Sequence, residues 1–235
     1  MTDTVPLLAV ENLCRRRPDA DGWLLDRVSM ALPAGSRVAL TGPSGSGKTL
    51  LLRALAMLDP VDSGRLLWRG EPIARAVVPA FRSQVIYLHQ RPAILGGGVE
   101  EALRLPYRLS VHRGSRYDEA RIVAWLECLG RTGDLLRQST TDLSGGERQI
   151  VALLRAIQLD PVVLLLDEPT AALDPQAVES VERLVARWFE AVPNRRAFCW
   201  VSHDQRQASR MTDSSLHMAA GCLAGPGTEG MEDAC

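Results

Sequence analysis

The chain of 235 residues is long enough to bury the core of one large domain, or of a domain with a smaller subdomain. Its formal net charge of −1 argues against the broad basic surface that nucleic-acid binding requires, so we expect no nucleic-acid partner. With 46% hydrophobic and 23% charged residues, the composition is typical of a soluble globular protein. The longest apolar runs, such as residues 162–166, are far too short to span a bilayer.

Strand and helix patterns alternate along most of the chain. Strands are predicted over residues 7–13, 23–32, 37–41, 66–68, 85–88, 162–166, 197–201 and 215–218. Helices are predicted over residues 50–58, 117–129, 147–158, 175–191 and 205–211. This alternation predicts an open α/β sheet that binds its ligand at the carboxyl ends of the strands.

Two stretches depart from the alternation. Residues 91–142 lose the strand pattern and become helical, and the residues after 221 are rich in glycine and acidic groups. We therefore predict a single domain over residues 1–221, with a helical insert at about 91–150 and a flexible tail over 222–235.

The segment after the third predicted strand matches the phosphate-loop pattern G-x-x-x-x-G-K-[ST]. Its residues are Gly42, Pro43, Ser44, Gly45, Ser46, Gly47, Lys48 and Thr49. Lys48 is the only lysine among the 27 lysine and arginine residues, and a compact ammonium fits between the β- and γ-phosphates better than a guanidinium. The glycines leave backbone N–H groups free for phosphate oxygens, and the next helix points its positive end at them. We predict a nucleotide-binding protein in which Thr49 places its hydroxyl on Mg²⁺.

A second acidic segment follows the apolar run 162–166, which is of the buried parallel-strand type. That strand brings Asp167 and Glu168 to the carboxyl edge of the predicted sheet. Asp167 is placed to hold Mg²⁺ through water, as in phosphate-loop NTPases. Glu168 is placed to polarise a water for attack on the γ-phosphate. The alternative is a solvated acidic pair that caps the next turn.

Ser144, Gly145 and Gly146 precede an amphipathic helix. A hydroxyl, bare backbone N–H groups and a helix N-terminus together form a second anion site, although Ser-Gly-Gly is also an ordinary N-cap turn. Two phosphate-binding helix starts that lie far apart in one chain suggest a nucleotide enclosed between two copies of the chain.

Six segments occur in the order found in ATP-binding-cassette (ABC) ATPases. They resemble that family's Walker A, Q-loop, signature, Walker B, D-loop and H-loop motifs, and they are residues 42–49, 90, 143–147, 162–168, 172–174 and 202–204. The resemblance extends from about residue 7 to residue 218. It implies an α/β phosphate-loop NTPase fold with a RecA-like core sheet, an N-terminal antiparallel β subdomain and an inserted helical subdomain.

The resemblance also implies roles for individual residues. Gln90 resembles the glutamine that contacts Mg²⁺ and the attacking water, and His203 resembles the histidine that contacts the γ-phosphate and orients Glu168. Asp174 resembles the aspartate that communicates across the dimer. Residues 144–146 would complete the nucleotide site of the other protomer.

The cofactors implied by the resemblance are ATP and Mg²⁺. The implied catalytic residues are Glu168, His203, Gln90 and Lys48. The implied metal ligands are Thr49, Gln90 and Asp167. A Ras-like GTPase is disfavoured because its guanine-reading Asn-Lys-x-Asp segment needs a second lysine, and a small-molecule kinase does not explain the second anion site.

The sequence departs from the family's pattern at three places. The family usually has an aromatic residue that stacks on adenine, where this chain has Cys-Arg-Arg-Arg at 14–17 and Trp23 further on. An arginine stacked on adenine and a solvated basic turn both fit that segment. Glu147 stands where glutamine is commoner, and Ile150 stands where arginine is common.

As a whole, the resemblance implies the ATP-hydrolysing subunit of an ABC transporter. Two copies would dimerise around two ATP molecules and drive an integral membrane permease on a separate chain, peripherally on the cytoplasmic side of the inner (plasma) membrane. Residues 90–107 are similar to those of bacterial Fet-type exporters, which implies metal (iron) export. The alternatives are an ATPase of a lipoprotein or peptide exporter, of an amino-acid importer, or a soluble cassette of the iron–sulfur assembly type.

Overall fold

The structure is a computed structural model that describes residues 5–18, 21–94 and 97–224. The strands are β1 (Leu8–Arg16), β2 (Trp23–Leu32), β3 (Arg37–Thr41), β4 (Ser63–Trp68), β5 (Glu71–Pro72), β6 (Val85–Leu88), β7 (Val163–Asp167), β8 (Ala197–Val201), β9 (Ser214–Ala219) and β10 (Cys222–Ala224). The α-helices are α1 (Lys48–Leu55), α2 (Val78–Gln84), α3 (Val99–Arg104), α4 (Glu119–Cys128), α5 (Gly145–Ile157), α6 (Pro175–Glu190) and α7 (Gln205–Met211). Short 3₁₀ turns lie at Arg75–Val77, Leu105–Arg108, Ser110–His112, Gly133–Arg137 and Pro193–Arg195.

The chain packs into two compact units. The first unit contains the chain up to Tyr87, the segment Val162–Asp167 and the chain from Pro193 onward. The second unit contains Leu88–Pro161 and Glu168–Val192. The predicted helical insert lies within the second unit, which extends beyond it to Pro161 and includes α6.

Two sheets form in the first unit. The smaller sheet is antiparallel, in the order β2-β1-β4-β5, and the larger sheet has the order β10-β9-β3-β8-β7-β6. Within the larger sheet, β8 pairs in parallel with both β3 and β7, and β9 also pairs in parallel with β3. The N-terminal antiparallel sheet and the α/β core sheet that the resemblance implied are therefore confirmed.

The central strands of the larger sheet are buried on both faces. Every residue of β7 and of β8 is buried, which explains their continuous apolar sequences. Helix α1 belongs to the same core, and its Leu51 and Leu52 have no exposed surface. Full burial of each such side chain stabilises the fold by about 1.5–3 kcal/mol. This packing fixes the end of β3 and the start of α1, and the phosphate-loop segment connects the two.

The second unit is helical, as the sequence predicts, but its helices are short. Within residues 91–142, α3 and α4 are separated by 3₁₀ turns, one of which contains Pro106 near its start. The side chain of Gln158 ties this region to the end of α5, because its Nε2 atom donates to the carbonyl of Leu103 at 2.8 Å. Among the described residues, no helix combines the length and apolar character that crossing a membrane requires.

The predicted tail over residues 222–235 begins too early. Residues Cys222–Ala224 form β10, which pairs antiparallel with β9, and residues 225–235 lie outside the described part of the chain. The hairpin turns at Ala220 and Gly221, whose φ angles of 47° and 84° are both left-handed, and the glycine accepts this conformation without strain. Gly221, the last residue of the predicted domain, is therefore part of the turn of a hairpin that continues into the predicted tail.

We predict that Gly64→Ala lowers the free energy of unfolding by about 2–4 kcal/mol, through left-handed backbone strain and overpacking. Gly64 has a φ of 97°, and a Cβ there would lie 2.6 Å from the carbonyl oxygen of Asn12, at an irregularity in the β1–β4 pairing. Gly114→Ala is the control, because its Cβ would meet nothing within 4 Å. Urea denaturation that gives equal stabilities for the two variants would contradict this packing.

Candidate functional site

The loop between β3 and α1 closes around Lys48. Lys48 is 6% exposed, and its Nζ donates to the carbonyl oxygens of Gly42 at 2.7 Å and Pro43 at 2.9 Å. No side chain caps α1, and its first turn contains no acidic residue, so its positive end faces the loop. Within the described part of the chain, the hydroxyl of Ser46 is buried without a hydrogen-bond partner. The loop therefore offers a cation, a helix N-terminus and an unused hydroxyl to an anion.

Asp167 is the last residue of β7 and is 2% exposed. The hydroxyl of Tyr87, in β6, donates to its Oδ2 atom at 2.8 Å. Burial, followed by the charge of Asp167, raises the pKa of Tyr87 well above its usual value, so its hydroxyl stays protonated and donates. The carboxylate of Asp167 and the hydroxyl of Thr49, an exposed residue on α1, are both hard oxygen donors. They fit Mg²⁺, which prefers such ligands and takes the rest from water and phosphate.

His203 lies at the same edge of the larger sheet. The last residue of β8, Val201, pairs with Asp167, and His203 follows two residues later on an exposed turn. The turn is fixed on its far side by Asp204, whose Oδ1 accepts from the backbone N–H of Arg206 at 2.8 Å at the start of α7. The first unit thus places the phosphate loop, Asp167 and His203 at the carboxyl ends of parallel strands, as the sequence predicts.

Glu168 and Gln90 meet in the second unit. The Nε2 atom of Gln90 donates to Oε2 of Glu168 at 2.7 Å. Glu168 has a φ of 48°, a left-handed conformation that is uncommon for residues other than glycine and that often marks a functional turn. The structure therefore brings Glu168 and Gln90, both predicted catalytic residues, into direct contact.

The segment that begins α5 forms a capping box. The Oγ atom of Ser144 accepts from the N–H of Glu147 at 3.2 Å, and Oε2 of Glu147 accepts from the N–H of Ser144 at 2.9 Å and from its hydroxyl at 2.7 Å. The hydrogen bond from the Ser144 hydroxyl is the main cause that lowers the pKa of Glu147, and the hydrogen bond from the Ser144 backbone N–H is the second. The structure thus contains the ordinary N-cap turn at Ser144. The carboxylate of Glu147 has a structural role as one half of that cap.

The D-loop segment packs against this helix start. A Cβ on Gly146 would lie 3.0 Å from the carbonyl oxygen of Ala172, so only a glycine fits there without displacement. Asp174 caps α6, because its Oδ1 accepts from the N–H of Ala177 at 2.9 Å. Ile150 is fully buried in α5, so the residue that stands where arginine is common belongs to the core.

The β1–β2 hairpin places an arginine beside an aromatic ring. Arg16 pairs with Trp23, and its guanidinium lies over the indole at 5.1 Å from the ring centroid. Both residues and Arg17 line a cavity of about 700 Å³. The next residue, Leu24, abuts the phosphate loop, since a Cβ on Gly47 would lie 3.1 Å from its carbonyl oxygen.

Sequence reasoning missed Tyr87 and the Arg16–Trp23 pair. Tyr87 lies 80 positions before Asp167 and carries no motif that links the two. The sequence places Arg16 and Trp23 in the region where an adenine-stacking residue is expected, but only their pairing across the hairpin brings them together.

Comparisons with known proteins agree with this geometry. A family model described as "ABC transporter" matches residues 25–171. The "Probable iron export ATP-binding protein FetA" of Escherichia coli (strain K12) is 35% identical over 87% of this chain and 88% of its own length. The "Nickel import ATP-binding protein NikO" of Rhodobacter capsulatus is 36% identical over 87% of this chain and 84% of its own length.

Other relatives are longer than this chain. The "Sulfate/thiosulfate import ATP-binding protein CysA" of Xanthomonas campestris pv. campestris is 37% identical, and the match spans 84% of this chain but 57% of that protein. Among solved structures, a dimeric ATP-binding cassette in a post-hydrolysis state with ADP and phosphate superposes with a TM-score of 0.82 at 23% identity, over 92% of this chain and 96% of that one. That likeness confirms the fold. Because the family model covers more than half of the chain and FetA matches along most of both lengths, the chain belongs to the ABC transporter family, as one of its ATPase cassettes.

Proposed function

We propose that this chain is the ATP-hydrolysing subunit of an ABC transporter, which dimerises around two ATP molecules and drives a permease on a separate chain. The observation that carries the proposal lies in the first unit, where the phosphate loop around Lys48 and the buried carboxylate of Asp167 occupy one edge of the larger sheet. A buried cation at a helix N-terminus and a carboxylate at the end of a neighbouring strand are what a Mg²⁺–triphosphate requires.

In this proposal the phosphate loop binds and orients the triphosphate. Lys48 and the backbone N–H groups of residues 42–49 hold the β- and γ-phosphates, and the buried hydroxyl of Ser46 acquires an acceptor. Thr49 and Asp167 hold Mg²⁺, Asp167 through water. When bound, Mg²⁺ neutralises charge that develops on the phosphate oxygens.

Glu168 is the proposed general base. Its carboxylate accepts a proton from the attacking water, and Gln90 orients that carboxylate through the 2.7 Å hydrogen bond. Because the Gln90 nitrogen is used in this bond, its amide oxygen is the group that would bind Mg²⁺ or the water. His203 would contact the γ-phosphate from the turn after β8.

Residues 144–146 and Asp174 are proposed to complete the site of a second copy. The hydroxyl of Ser144 donates to Glu147 in this structure. A single hydroxyl proton cannot serve two acceptors fully, so binding a γ-phosphate would redirect it, while the backbone N–H of Ser144 continues to hold Glu147. Hydrolysis would then require two chains.

We propose that adenine stacks on the Arg16–Trp23 pair. The pair lines a cavity on the hairpin whose Leu24 abuts the phosphate loop, so the base and the phosphates of one nucleotide would be held by adjacent parts of the first unit. A guanidinium plane and an indole ring both stack on nucleobases. This pair would therefore replace the aromatic residue that the family usually has.

For cargo, we propose metal (iron) export, which is what the name of FetA states for that protein, with this chain bound peripherally at the cytoplasmic face of the inner (plasma) membrane. The chain matches FetA over nearly the whole of both lengths. Other relatives are named for nickel and sulfate import, so similar cassettes are named for both import and export. Part of the loop over 90–107, residues 95 and 96, lies outside the described residues.

Glu168→Gln is expected to retain ATP binding and to lower turnover by at least about 10²-fold, the usual effect of losing a general base. Size-exclusion chromatography with ATP should then show a stable dimer. Glu179→Gln, an exposed substitution of the same kind on α6, is the matched control and should hydrolyse ATP normally. Equal turnover in the two variants would exclude Glu168 as the base.

Trp23→Ala should weaken ATP binding about tenfold while leaving the affinity for inorganic triphosphate unchanged, because only the base loses its stacking surface. Isothermal titration calorimetry measures both affinities. Trp125→Ala is the control, since Trp125 also lies under an arginine, Arg121 at 4.3 Å, but on α4 in the second unit. Equal losses for ATP and triphosphate would contradict the adenine assignment.

The transport proposal is tested by capturing the chain from gently solubilised native membranes and identifying its partners by mass spectrometry. We expect a stoichiometric partner with several membrane-spanning segments, and the sequence of that partner would indicate cargo and direction. Recovery only from the cytosol, alone or with soluble proteins, would favour the iron–sulfur assembly alternative and would leave the ATPase assignment unchanged.

A further inference from the structure

Tyr87 donates a side-chain hydrogen bond to the buried carboxylate of Asp167. The two residues lie on neighbouring strands, β6 and β7, and the bond runs from the phenol hydroxyl to Oδ2 at 2.8 Å. The acceptor is a carboxylate at the end of a fully buried strand. A bond from a hydroxyl to an ionised carboxylate is among the stronger kinds of hydrogen bond and has a defined direction.

This bond restricts how the carboxylate can turn. The terminal torsion of an aspartate is broad, so a free carboxylate samples many orientations about it. A donor fixed on Oδ2 selects one orientation and leaves Oδ1 as the oxygen available to a water of the Mg²⁺ shell. Partners that orient metal-binding groups in this way commonly change metal affinity 10–100-fold when they are removed.

Tyr87 is itself held from the side of α1. Arg53 and Asp59 are charged neighbours of its hydroxyl. Arg53 forms two hydrogen bonds to Asp59, from Nε at 2.9 Å and from Nη2 at 2.7 Å, and Arg15 adds a third contact to Asp59 at 3.0 Å. Such a paired geometry leaves the guanidinium little freedom to move.

The same helix carries another proposed metal ligand, Thr49. Thr49 and Arg53 are four residues apart on α1 and therefore lie on one face of it. The helix packs against β7, the strand that ends in Asp167. The Arg53–Asp59 pair is thus a charged neighbour of Tyr87, and Tyr87 in turn bonds Asp167, the last residue of the strand that packs against the helix of Thr49.

We propose that Tyr87 is a positioning residue for Asp167, whose hydroxyl orients the carboxylate for Mg²⁺ while Arg53 and Asp59 hold the tyrosine in place. This inference rests on the proposed function, in which Asp167 holds Mg²⁺ through water. It assigns no chemical step to Tyr87. The proposed effect of Tyr87 is to lower the free Mg²⁺ concentration at which the nucleotide complex is half-saturated with the metal.

The test uses the full chain with the non-hydrolysable analogue AMP-PNP and measures Tm as free Mg²⁺ is raised. Binding to the folded state raises Tm, so the midpoint of the rise reports the Mg²⁺ affinity of the complex without any turnover. We expect Tyr87→Phe to raise this midpoint about tenfold. Its affinity for AMP-PNP in EDTA should equal that of the wild-type chain, because the phosphate loop is intact.

Tyr107→Phe is the matched control. It removes a hydroxyl that also donates a hydrogen bond, to the carbonyl of Gln158 at 3.3 Å in the second unit. Its Mg²⁺ midpoint should equal that of the wild-type chain. A merely structural loss from Tyr87→Phe would lower Tm at every Mg²⁺ concentration and leave the midpoint in place, and that result would overturn the proposal.

Two further outcomes are informative. If Tyr87→Phe does not fold, Asp59→Asn replaces it, because this change weakens the partner of Arg53 without altering Asp167. We then expect the Mg²⁺ midpoint to rise severalfold. An unshifted midpoint in that variant overturns the proposal. If the wild-type chain shows no Mg²⁺-dependent rise at all, the proposed function fails and this inference falls with it. A normal wild-type rise with an unshifted Tyr87→Phe midpoint overturns this inference alone.

Discussion

The burial of β7 and β8 on both faces is the constraint on which the rest of the site depends. Strands without an exposed residue must lie in the middle of a sheet, and parallel pairing brings their carboxyl ends to one edge. That edge receives Asp167 from β7 and the turn of His203 from β8. The loop around Lys48 reaches it from β3, on the other side of β8. The burial of these apolar strands therefore determines where the polar residues of the site lie.

In each unit, the polar groups of the candidate site residues are held by short local contacts. The ammonium of Lys48 is kept inside its loop by two carbonyl oxygens, Glu168 is held by Gln90, and Ser144 is held by Glu147. In the proposed function, the ammonium of Lys48 and the hydroxyl of Ser144 would exchange these partners for phosphate oxygens, whereas Gln90 would keep its bond to Glu168. Groups that are already oriented lose little conformational freedom in that exchange, which is the usual basis of preorganised binding.

Much of the fold could be predicted from the sequence, and the reasons are local. The bounds of β2, β3, β6, β8 and α7 agree with the prediction, because alternating or continuous apolar runs end at clear turn residues. Strand β5, helix α2 and strand β10 were missed, since two or three residues show no period and α2 begins beside a proline. The contacts of Tyr87 with Asp167 and of Arg16 with Trp23 depend on pairing between strands, which no local pattern encodes.

The placement of Lys48 has a consequence for the chemical reactivity of the whole molecule. The sequence contains no other lysine, so the one side-chain amine of the protein lies inside the phosphate loop. Lys48 is 6% exposed, and its amine is bound to two carbonyl oxygens. Acylating reagents need a deprotonated and accessible amine. A bound polyanion would favour the protonated form of the amine and would also cover it. Modification of side-chain amines in this chain therefore reports on a single position, and its rate is a direct measure of how fully the loop is occupied.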